Sequence, residues 1–432
     1  MDIFDTIAII LSLAAVLAYV NYRFLKLPTT IGLMVLAMGL SIIVLLTREF
    51  GVHTLSNAAH DLLSNINFSK AVLNGLLGYL LFASALQVNL SDVRQRRWEI
   101  FTFATFSTLI SAAAVGALMW GLTALLRVDI DPIYCFIFGA LISPTDPVAV
   151  LAILKTTKVP RLLRVTIAGE SLLNDGVGVV LFVVLLDRLG GEKMGFGQVA
   201  GMFVYEALGG VVVGLGLAYL TYHLLKQVHD YKTEILMTIA LATASYTLAS
   251  TIHVSGAIAA VAAGLLIGNR GKRFAMSART REHLDNFWDL VDEVLNAILF
   301  VLIGLEILVI QFRPSYLLLG AAAIAIVLVA RAISVHIPLH WFTVMSSQRY
   351  HHGALGIMTW GGLRGGIPIA LALLIPRGEE FNMVLTVTYV VVAFSIIVQG
   401  LTIKRLVVHY GYGDASIGQM PATRVKQPKE LI

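Results

Sequence analysis

The chain has 432 residues, of which 58% are hydrophobic and only 13% are charged, whereas an average soluble domain carries roughly 25% charged residues. Its formal net charge of +5 does not indicate a nucleic-acid partner, because Lys and Arg lie in short loops between apolar runs. The single cysteine, Cys135, excludes a disulfide framework and a cysteine metal site. Apolar runs of roughly 20 residues, the length that crosses a bilayer, recur along the sequence. We therefore predict an all-α, polytopic membrane protein.

The apolar runs predict thirteen transmembrane helices. The first has no basic leader and is followed by Arg23 and Lys26, so we interpret it as a retained helix and not as a cleaved signal peptide. The predicted spans are residues 3–22, 29–46, 68–86, 98–126, 131–155, 165–189, 196–226, 233–252, 255–270, 287–312, 315–341, 351–375 and 381–407.

The basic residues predict the orientation of these spans. The loops after the odd-numbered spans and the C-terminal tail, each counted with the adjoining span ends, hold 22 of the 31 Lys and Arg residues, and the opposite loops with their span ends hold seven. Because cytoplasmic loops carry the excess of positive charge, we expect an external N-terminus and a cytoplasmic C-terminus in the plasma membrane, the inner membrane of a bacterium. The tail, residues 408–432, is short and polar, too small for a regulatory domain.

Two of the spans are predicted to be interrupted. Span 5 reads FGALISPTDPVAVLAIL and span 12 reads GIMTWGGLRGGIPIALALL. Prolines break the first at its centre, and glycines break the second. The spans are seven apart and therefore cross the membrane in opposite directions. Interrupted helices at corresponding positions of two inverted halves are typical of the midplane site of a secondary transporter.

Five ionisable residues lie well inside the predicted spans: Asp146, Glu170, Asp175, Arg331 and Arg364. A charge at the bilayer centre costs roughly 2.5 to 3.5 kcal/mol on the insertion scale, so each is expected to have a partner or a function. Glu170 lies one and a half turns before Asp175 and is expected to pair with Arg331. Three acids against two bases then leave Asp175 as the carboxylate that is free to exchange partners, since no third base is visible to hold it in a structural pair.

The charges at the two interruptions have structural interpretations. Asp146 stands where the first N–H groups of a half-helix lack acceptors, so capping those donors and direct ion ligation both remain open for it. Arg364 lies within the break of span 12, where its charge is expected to offset the carbonyl ends of half-helices.

The acids and hydroxyls near Asp175 predict a cation site. The carboxylate of Asp175, the hydroxyl of Ser171 four residues earlier, and unwound carbonyls near Thr145 offer the oxygen ligands that Na⁺ prefers. Because burial disfavours the charged form of a carboxylate, Asp175 can hold either a proton or a cation. His336 and His340 are also four residues apart, but no carboxylate or cysteine joins them, so we predict no metal site there.

Four motifs resemble the signatures of the NhaP-type cation:proton antiporters, the bacterial relatives of animal sodium/hydrogen exchangers. They are SPTDPVAV at 143–150, GESLLNDG at 169–176, FWDLVDEVLNAILFVLIGLE at 287–306 and GGLRGGIPIALAL at 361–373. The resemblance implies the inverted-repeat fold with two crossed, interrupted helices, a homodimer, and no cofactor. It also implies a core bundle at approximately 98–189 and 315–407 and a dimerisation domain at approximately 3–86 and 196–312.

The resemblance further implies a role for each site residue. Asp175 is expected to bind the ion and the proton, and the residues around the ion are expected to be Thr145, Asp146, Glu170 and Ser171. Asn174 stands where electrogenic relatives have a second Asp, which implies electroneutral exchange of one Na⁺ (or Li⁺) for one proton. Transport is then expected to proceed by movement of the core against the dimerisation domain.

Three alternatives are weighed against this interpretation. A potassium/proton antiporter of the same fold remains open, because oxygen ligands do not reveal the size of the cavity. An ion channel needs an open polar path or a selectivity filter, and no TVGYG-like loop or acidic ring is present in the sequence. An intramembrane aspartyl protease would use Asp146 and Asp175 as a proton-sharing pair, but these acids follow Thr145 and Asn174 and lack the Tyr-Asp and Gly-x-Gly-Asp motifs of such enzymes.

Overall fold

The computed structural model describes residues 3–49, 71–146, 150–151, 154, 157–189, 196–308, 310, 313–346 and 353–413. Nearly all of these residues are helical, and no β-strand occurs in these ranges. The expectations for most of the tail and for the start of the half-helix that follows Asp146 lie outside the described residues.

The helices are numbered in chain order. They are α1 (Ile3–Val20), α2 (Thr29–Glu49), α3 (Leu77–Gln87), α4 (Leu90–Gln95), α5 (Arg97–Thr102), α6 (Thr108–Leu125), α7 (Pro132–Ile142), α8 (Arg161–Leu189), α9 (Phe196–Leu225), α10 (Tyr231–Thr251), α11 (Gly256–Leu266), α12 (Lys272–Ala275), α13 (Ala278–Leu305), α14 (Pro314–Ser346), α15 (Ala354–Trp360), α16 (Ile367–Ala372), α17 (Glu379–Phe394) and α18 (Gly400–His409).

Short π-helical segments extend or join several of these helices. They are Asn21–Leu25, Ala71–Leu76, Phe103–Ser107, Ile267–Gly271 and Ser395–Gln399. Six helical stretches in the described part of the chain are long and apolar enough to cross a membrane: Asp5–Leu25, Thr29–Thr47, Arg97–Leu125, Val204–Leu225, Pro314–Val344 and Glu379–His409. Helical residues fall on every predicted span, but several of these helices are shorter or more polar, so the count of thirteen crossings stays a prediction.

The helix of the tenth predicted span extends beyond the span itself. Helix α13 begins at Ala278, nine residues before residue 287, and the Ser277 hydroxyl caps it by accepting from the Thr280 N–H at 3.1 Å. The first three turns are rich in charge, so hydropathy alone excluded them. They form a helix because one face is buried: Leu284 and Trp288 have no exposed surface. The helix of the eleventh predicted span also extends beyond it, since α14 continues to Ser346 through an internal Pro338.

The helices pack into two groups. Helices α6, α7, α8 and α14 to α17 contact one another around the two interruptions, and helices α1 to α3, α9 to α11 and α13 form a second set of contacts. The groups meet where α8 packs against α3, α9 and α11, and where α16 contacts the segment Ala71–Leu76. The assignment of these groups as a core and a dimerisation domain stays a prediction.

Candidate functional site

Both interruptions predicted from the prolines and glycines are present, and they contact each other. Helix α7 ends at Ile142, and the helical chain of span 12 is broken between Trp360 and Ile367. The N–H of Asp146 donates to the carbonyl of Leu363 at 2.7 Å. A Cβ on Gly365 would lie 2.2 Å from Oδ2 of Asp146, so only glycine allows this approach. The two breaks therefore form one junction at the centre of the first group of helices.

Arg364 links the junction to the end of α7. Its buried guanidinium donates from Nη1 to the carbonyls of Ser143 at 2.6 Å and Pro144 at 2.8 Å. Its backbone N–H donates to the Ser395 hydroxyl at 2.9 Å. The last carbonyls of a helix carry partial negative charge and lack partners within the helix. Arg364 therefore donates to two carbonyls directly after the end of α7, although it belongs to the other interrupted helix. The sequence analysis expected its charge to offset carbonyl groups of this kind.

Glu170 and Arg331 form a buried ion pair. Nη1 of Arg331 lies 2.5 Å from Oε1 of Glu170, and both side chains are at most 4% exposed. Nη2 of Arg331 also donates to the carbonyl of Met358 at 3.3 Å. The pair therefore connects α8, α14 and α15. It is the pair that the count of charges in the sequence predicted.

A chain of polar side chains holds Thr145 against α8. The hydroxyl of Thr145 lies 3.0 Å from the hydroxyl of Ser171 and accepts from Nδ2 of Asn174 at 2.9 Å. All three side chains are buried. Because the Thr145 oxygen accepts from Asn174, its own proton is available for Ser171. The arrangement fixes the hydroxyls of the unwound segment and of α8 side by side.

Asp175 lies one helical turn beyond Ser171 and borders a cavity of about 60 Å³, room for roughly two water molecules or one small cation. Ser171 and Asp146 line the same cavity. Asp175 is 6% exposed, and no hydrogen-bond partner of its carboxylate lies among the described residues. The structure therefore brings three of the predicted ligands, Asp146, Ser171 and Asp175, to one cavity. Thr145 and Asn174 are linked to the cavity through the hydroxyl of Ser171, whereas Glu170 pairs with Arg331 and does not line the cavity.

The cavity lies between the two groups of helices. The wall on the side of the first helix group includes the acids, Ser171 and the glycine-rich break of span 12. The opposite wall is formed by Val72, Leu77, Leu80, Leu81, Ser84, Asn296 and Leu299. No cluster of three or more His, Cys, Asp or Glu side chains that could hold a metal ion occurs within the described ranges.

The sequence analysis missed other carboxyl groups within the predicted spans, among them Glu206 and Glu306. Glu306 follows α13 and is only 3% exposed, although it was omitted from the count of intramembrane acids. The elimination that left Asp175 as the unpaired acid was therefore incomplete. Geometry separates the two residues, because Asp175 lines the cavity and Glu306 does not.

Asn296 and Ser84 were also missed as cavity residues. They carry no charge and stand in apolar runs, so the charge count gave no reason to single them out. The signal that could have found Asn296 is its position within the 287–306 motif, four residues after Asp292 on the same helical face.

Comparisons with known proteins agree with this architecture. The family model described as "Sodium/hydrogen exchanger, transmembrane" matches residues 10–409. The Na⁺/H⁺ antiporter NhaP of Pseudomonas aeruginosa is 44% identical over 407 residues, which cover 93% of this chain and 96% of that protein. The Na⁺/H⁺ antiporter NhaH of Halobacillus aidingensis is 33% identical over 95% of this chain and 98% of its own length.

A solved structure shares the fold. The structure of the sodium proton antiporter MjNhaP1 from Methanocaldococcus jannaschii at pH 8 superposes with a TM-score of 0.72 at 19% identity, covering 94% of this chain and 99% of that one. The inverted-repeat architecture predicted from the two interrupted spans is thus confirmed at the level of the fold.

Proposed function

The chain belongs to the sodium/hydrogen exchanger family, and we propose that it exchanges Na⁺ for H⁺ across the membrane, with Asp175 as the group that binds either ion. It is a multi-pass membrane protein and a secondary transporter, not an enzyme. The observation that carries the proposal is the position of Asp175 in a cavity between two groups of helices.

Competition for one carboxylate is sufficient for exchange. A protonated Asp175 cannot bind Na⁺, and a Na⁺-bound Asp175 cannot hold the proton, so each ion displaces the other. The hydroxyl of Ser171 and the carboxylate of Asp146 border the same cavity and supply further oxygens. Thr145 acts through Ser171, to which its hydroxyl is hydrogen-bonded.

The stoichiometry follows from the charges that change. Proton-loaded and Na⁺-loaded Asp175 carry the same net charge, and the adjacent Asn174 is neutral and donates to Thr145. Glu170 and Arg331 neutralise each other. With one carboxyl group cycling, the exchange is one Na⁺ or Li⁺ for one proton, and it moves no net charge.

Alternating access requires that the cavity open to each side in turn. The ion pair of Glu170 with Arg331 and the bonds of Arg364 tie α7, α8, α14 and α15 together, so these helices are suited to move as one body. Sliding of this body along α3 and α13 would carry Asp175 from one side to the other. We propose that the second group of helices stays fixed and joins two copies of the chain in a homodimer of the bacterial inner membrane, with the N-terminus outside.

Transport by the purified, full-length protein in liposomes tests the proposal. An imposed pH gradient is followed with an internal pH dye while Na⁺, Li⁺ or K⁺ is added, for the wild type and for Asp175→Asn. We expect Na⁺ and Li⁺ to collapse the gradient without generating a voltage and the variant to be inactive. Exchange with K⁺ alone would reassign the substrate to the potassium/proton alternative, and normal exchange by the variant would refute the role of Asp175.

A further inference from the structure

A second polar group borders the cavity from the wall opposite Asp175. Asn296 of α13 lines the cavity, and the residue is only 3% exposed. Its Nδ2 donates to the carbonyl of Asp292 at 2.8 Å. Because a carbonyl oxygen only accepts hydrogen bonds, this contact fixes which end of the amide is nitrogen. The oxygen, Oδ1, has no hydrogen-bond partner among the described residues.

The position of Asn296 on α13 is distinctive. Asp285, Asp289, Asp292 and Asn296 follow one another at intervals of three or four residues and therefore share one face of the helix. We call these four residues the polar stripe. Gln87 of α3 donates to Asp289 at 2.7 Å, so the stripe faces the same neighbouring helix that contributes Ser84 to the cavity. Asn296 is the innermost member of the stripe.

The same face of α13 becomes apolar directly beyond Asn296. The next two residues on it are Leu299 and Ile303, which pack so closely on Gly366 that a Cβ there would lie 2.6 Å and 2.9 Å from their Cδ1 atoms. The amide of Asn296 therefore lies where the polar stripe meets the cavity. The apolar packing of α13 on Gly366 begins one turn later. An apolar residue at position 296 would continue the packing, whereas Asn296 places an amide oxygen in a residue that is only 3% exposed, where a polar partner is needed to replace water.

We propose that Oδ1 of Asn296 is a further ligand for the transported cation, contributed by the group of helices opposite the core. This inference rests on the proposed function, because it assigns another residue to the same site. The ligand class is a small monovalent cation that has lost part of its hydration shell. A neutral amide oxygen completes its coordination without adding a third negative charge to Asp146 and Asp175. Since Asn296 belongs to the other helix group, its contact with the cation is made in the conformation described here and is lost when the core moves.

Kinetics of the reconstituted full-length protein test this assignment. Asn296→Leu removes the oxygen while keeping a branched side chain with the same number of heavy atoms, and Asn296→Gln keeps a neutral amide oxygen. Leu302→Met is the matched control, because Leu302 is also buried on α13 and is not among the residues that line the cavity. The apparent KM for Na⁺ and the maximal rate are measured for each, and Na⁺ binding is followed separately by the Na⁺-dependent shift of the unfolding temperature in detergent.

We expect Asn296→Leu to raise the apparent KM for Na⁺ about tenfold with a smaller change in maximal rate, and to weaken the Na⁺-dependent thermal shift correspondingly. Asn296→Gln is expected to stay within about threefold of the wild-type KM, as is Leu302→Met. A wild-type KM and thermal shift in Asn296→Leu would overturn the inference, as would equal increases in KM for Asn296→Leu and Leu302→Met. If Asn296→Leu does not fold, Asn296→Ala removes the same oxygen, and a wild-type KM and thermal shift in that variant would also overturn the inference. Failure of the proposed function is distinguishable, because it requires Asp175→Asn to transport.

Discussion

Glu170 and Arg331 are joined by a buried ion pair at 2.5 Å that connects α8 to α14. The two residues are 161 positions apart in the chain, so the pair fixes two halves of the first helix group to each other. Because both side chains are almost fully buried, the charge of each residue depends mainly on its partner for compensation.

Removal of one member of this pair is expected to destabilise the protein. Glu170→Gln leaves the Arg331 charge buried without a counter-ion, which costs roughly 3 to 5 kcal/mol in buried pairs, and should lower the unfolding temperature in detergent clearly. Arg313→Gln is the matched control. It also removes one member of an ion pair, but Arg313 and its partner Glu379 are exposed to solvent. The double variant Glu170→Met with Arg331→Met is expected to recover much of the stability. An unfolding temperature for Glu170→Gln equal to that of the wild type would contradict this account of the pair.

Gly365→Ala is expected to abolish exchange. The added Cβ would lie 2.2 Å from Oδ2 of Asp146 and 2.9 Å from its Cβ, so the two interrupted helices would have to separate. Gly121→Ala in α6 has open space around the new Cβ and should leave transport unchanged. Both variants are compared by the rate of Na⁺-driven proton movement in liposomes and by their unfolding temperatures. Wild-type transport by Gly365→Ala would show that the close contact of the breaks is dispensable.

Ser171→Ala should weaken Na⁺ binding more than it slows transport. The change removes a hydroxyl that borders the cavity and that lies 3.0 Å from the hydroxyl of Thr145. Loss of one oxygen from the site is expected to raise the apparent KM for Na⁺ about tenfold, which corresponds to roughly 1.4 kcal/mol. Ser245→Ala serves as the control, because Ser245 is equally buried but bonds only its own helix at the Ala242 carbonyl. An unchanged KM in Ser171→Ala would exclude its hydroxyl from the cation site.

Glu306→Gln tests whether a buried carboxyl group away from the cavity takes part in transport. Glu306 is buried but does not border the cavity, so replacement by an uncharged side chain of the same shape should leave exchange within about twofold of the wild type. The same replacement at Asp175, Asp175→Asn, should abolish exchange. If Glu306→Gln were inactive and folded, Glu306 would belong to the transport cycle, and the assignment of the carrier to Asp175 alone would be wrong.

The features that the sequence predicted are those that break a local rule of membrane helices. Pro144 and the glycines of GGLRGG interrupt apolar runs, and Glu170 and Arg331 place opposite charges deep within such runs, so both the breaks and the pair were visible without coordinates. Asp175 was identified on the same ground, although the count behind it omitted Glu306.

Other features depend on contacts that a linear pattern does not contain. The bonds of Arg364 to the carbonyls of Ser143 and Pro144 require knowledge of which two breaks meet. The early start of α13 depends on burial of Trp288, whose Nε1 donates to the Thr238 hydroxyl at 3.0 Å. Asn296 is an ordinary neutral residue in the sequence. Only its position on the cavity wall points to a role in cation binding.

Calorimetric titration of Na⁺ into the purified protein, in buffers of different ionisation enthalpy, tests the central claim most directly. If Na⁺ and the proton compete for Asp175, then at a pH where this carboxyl is protonated each bound Na⁺ releases about one proton from the wild type. Asp175→Asn should show neither Na⁺ binding nor proton release. Na⁺ binding with proton release that persists in Asp175→Asn would contradict the account, because another group would then carry both ions.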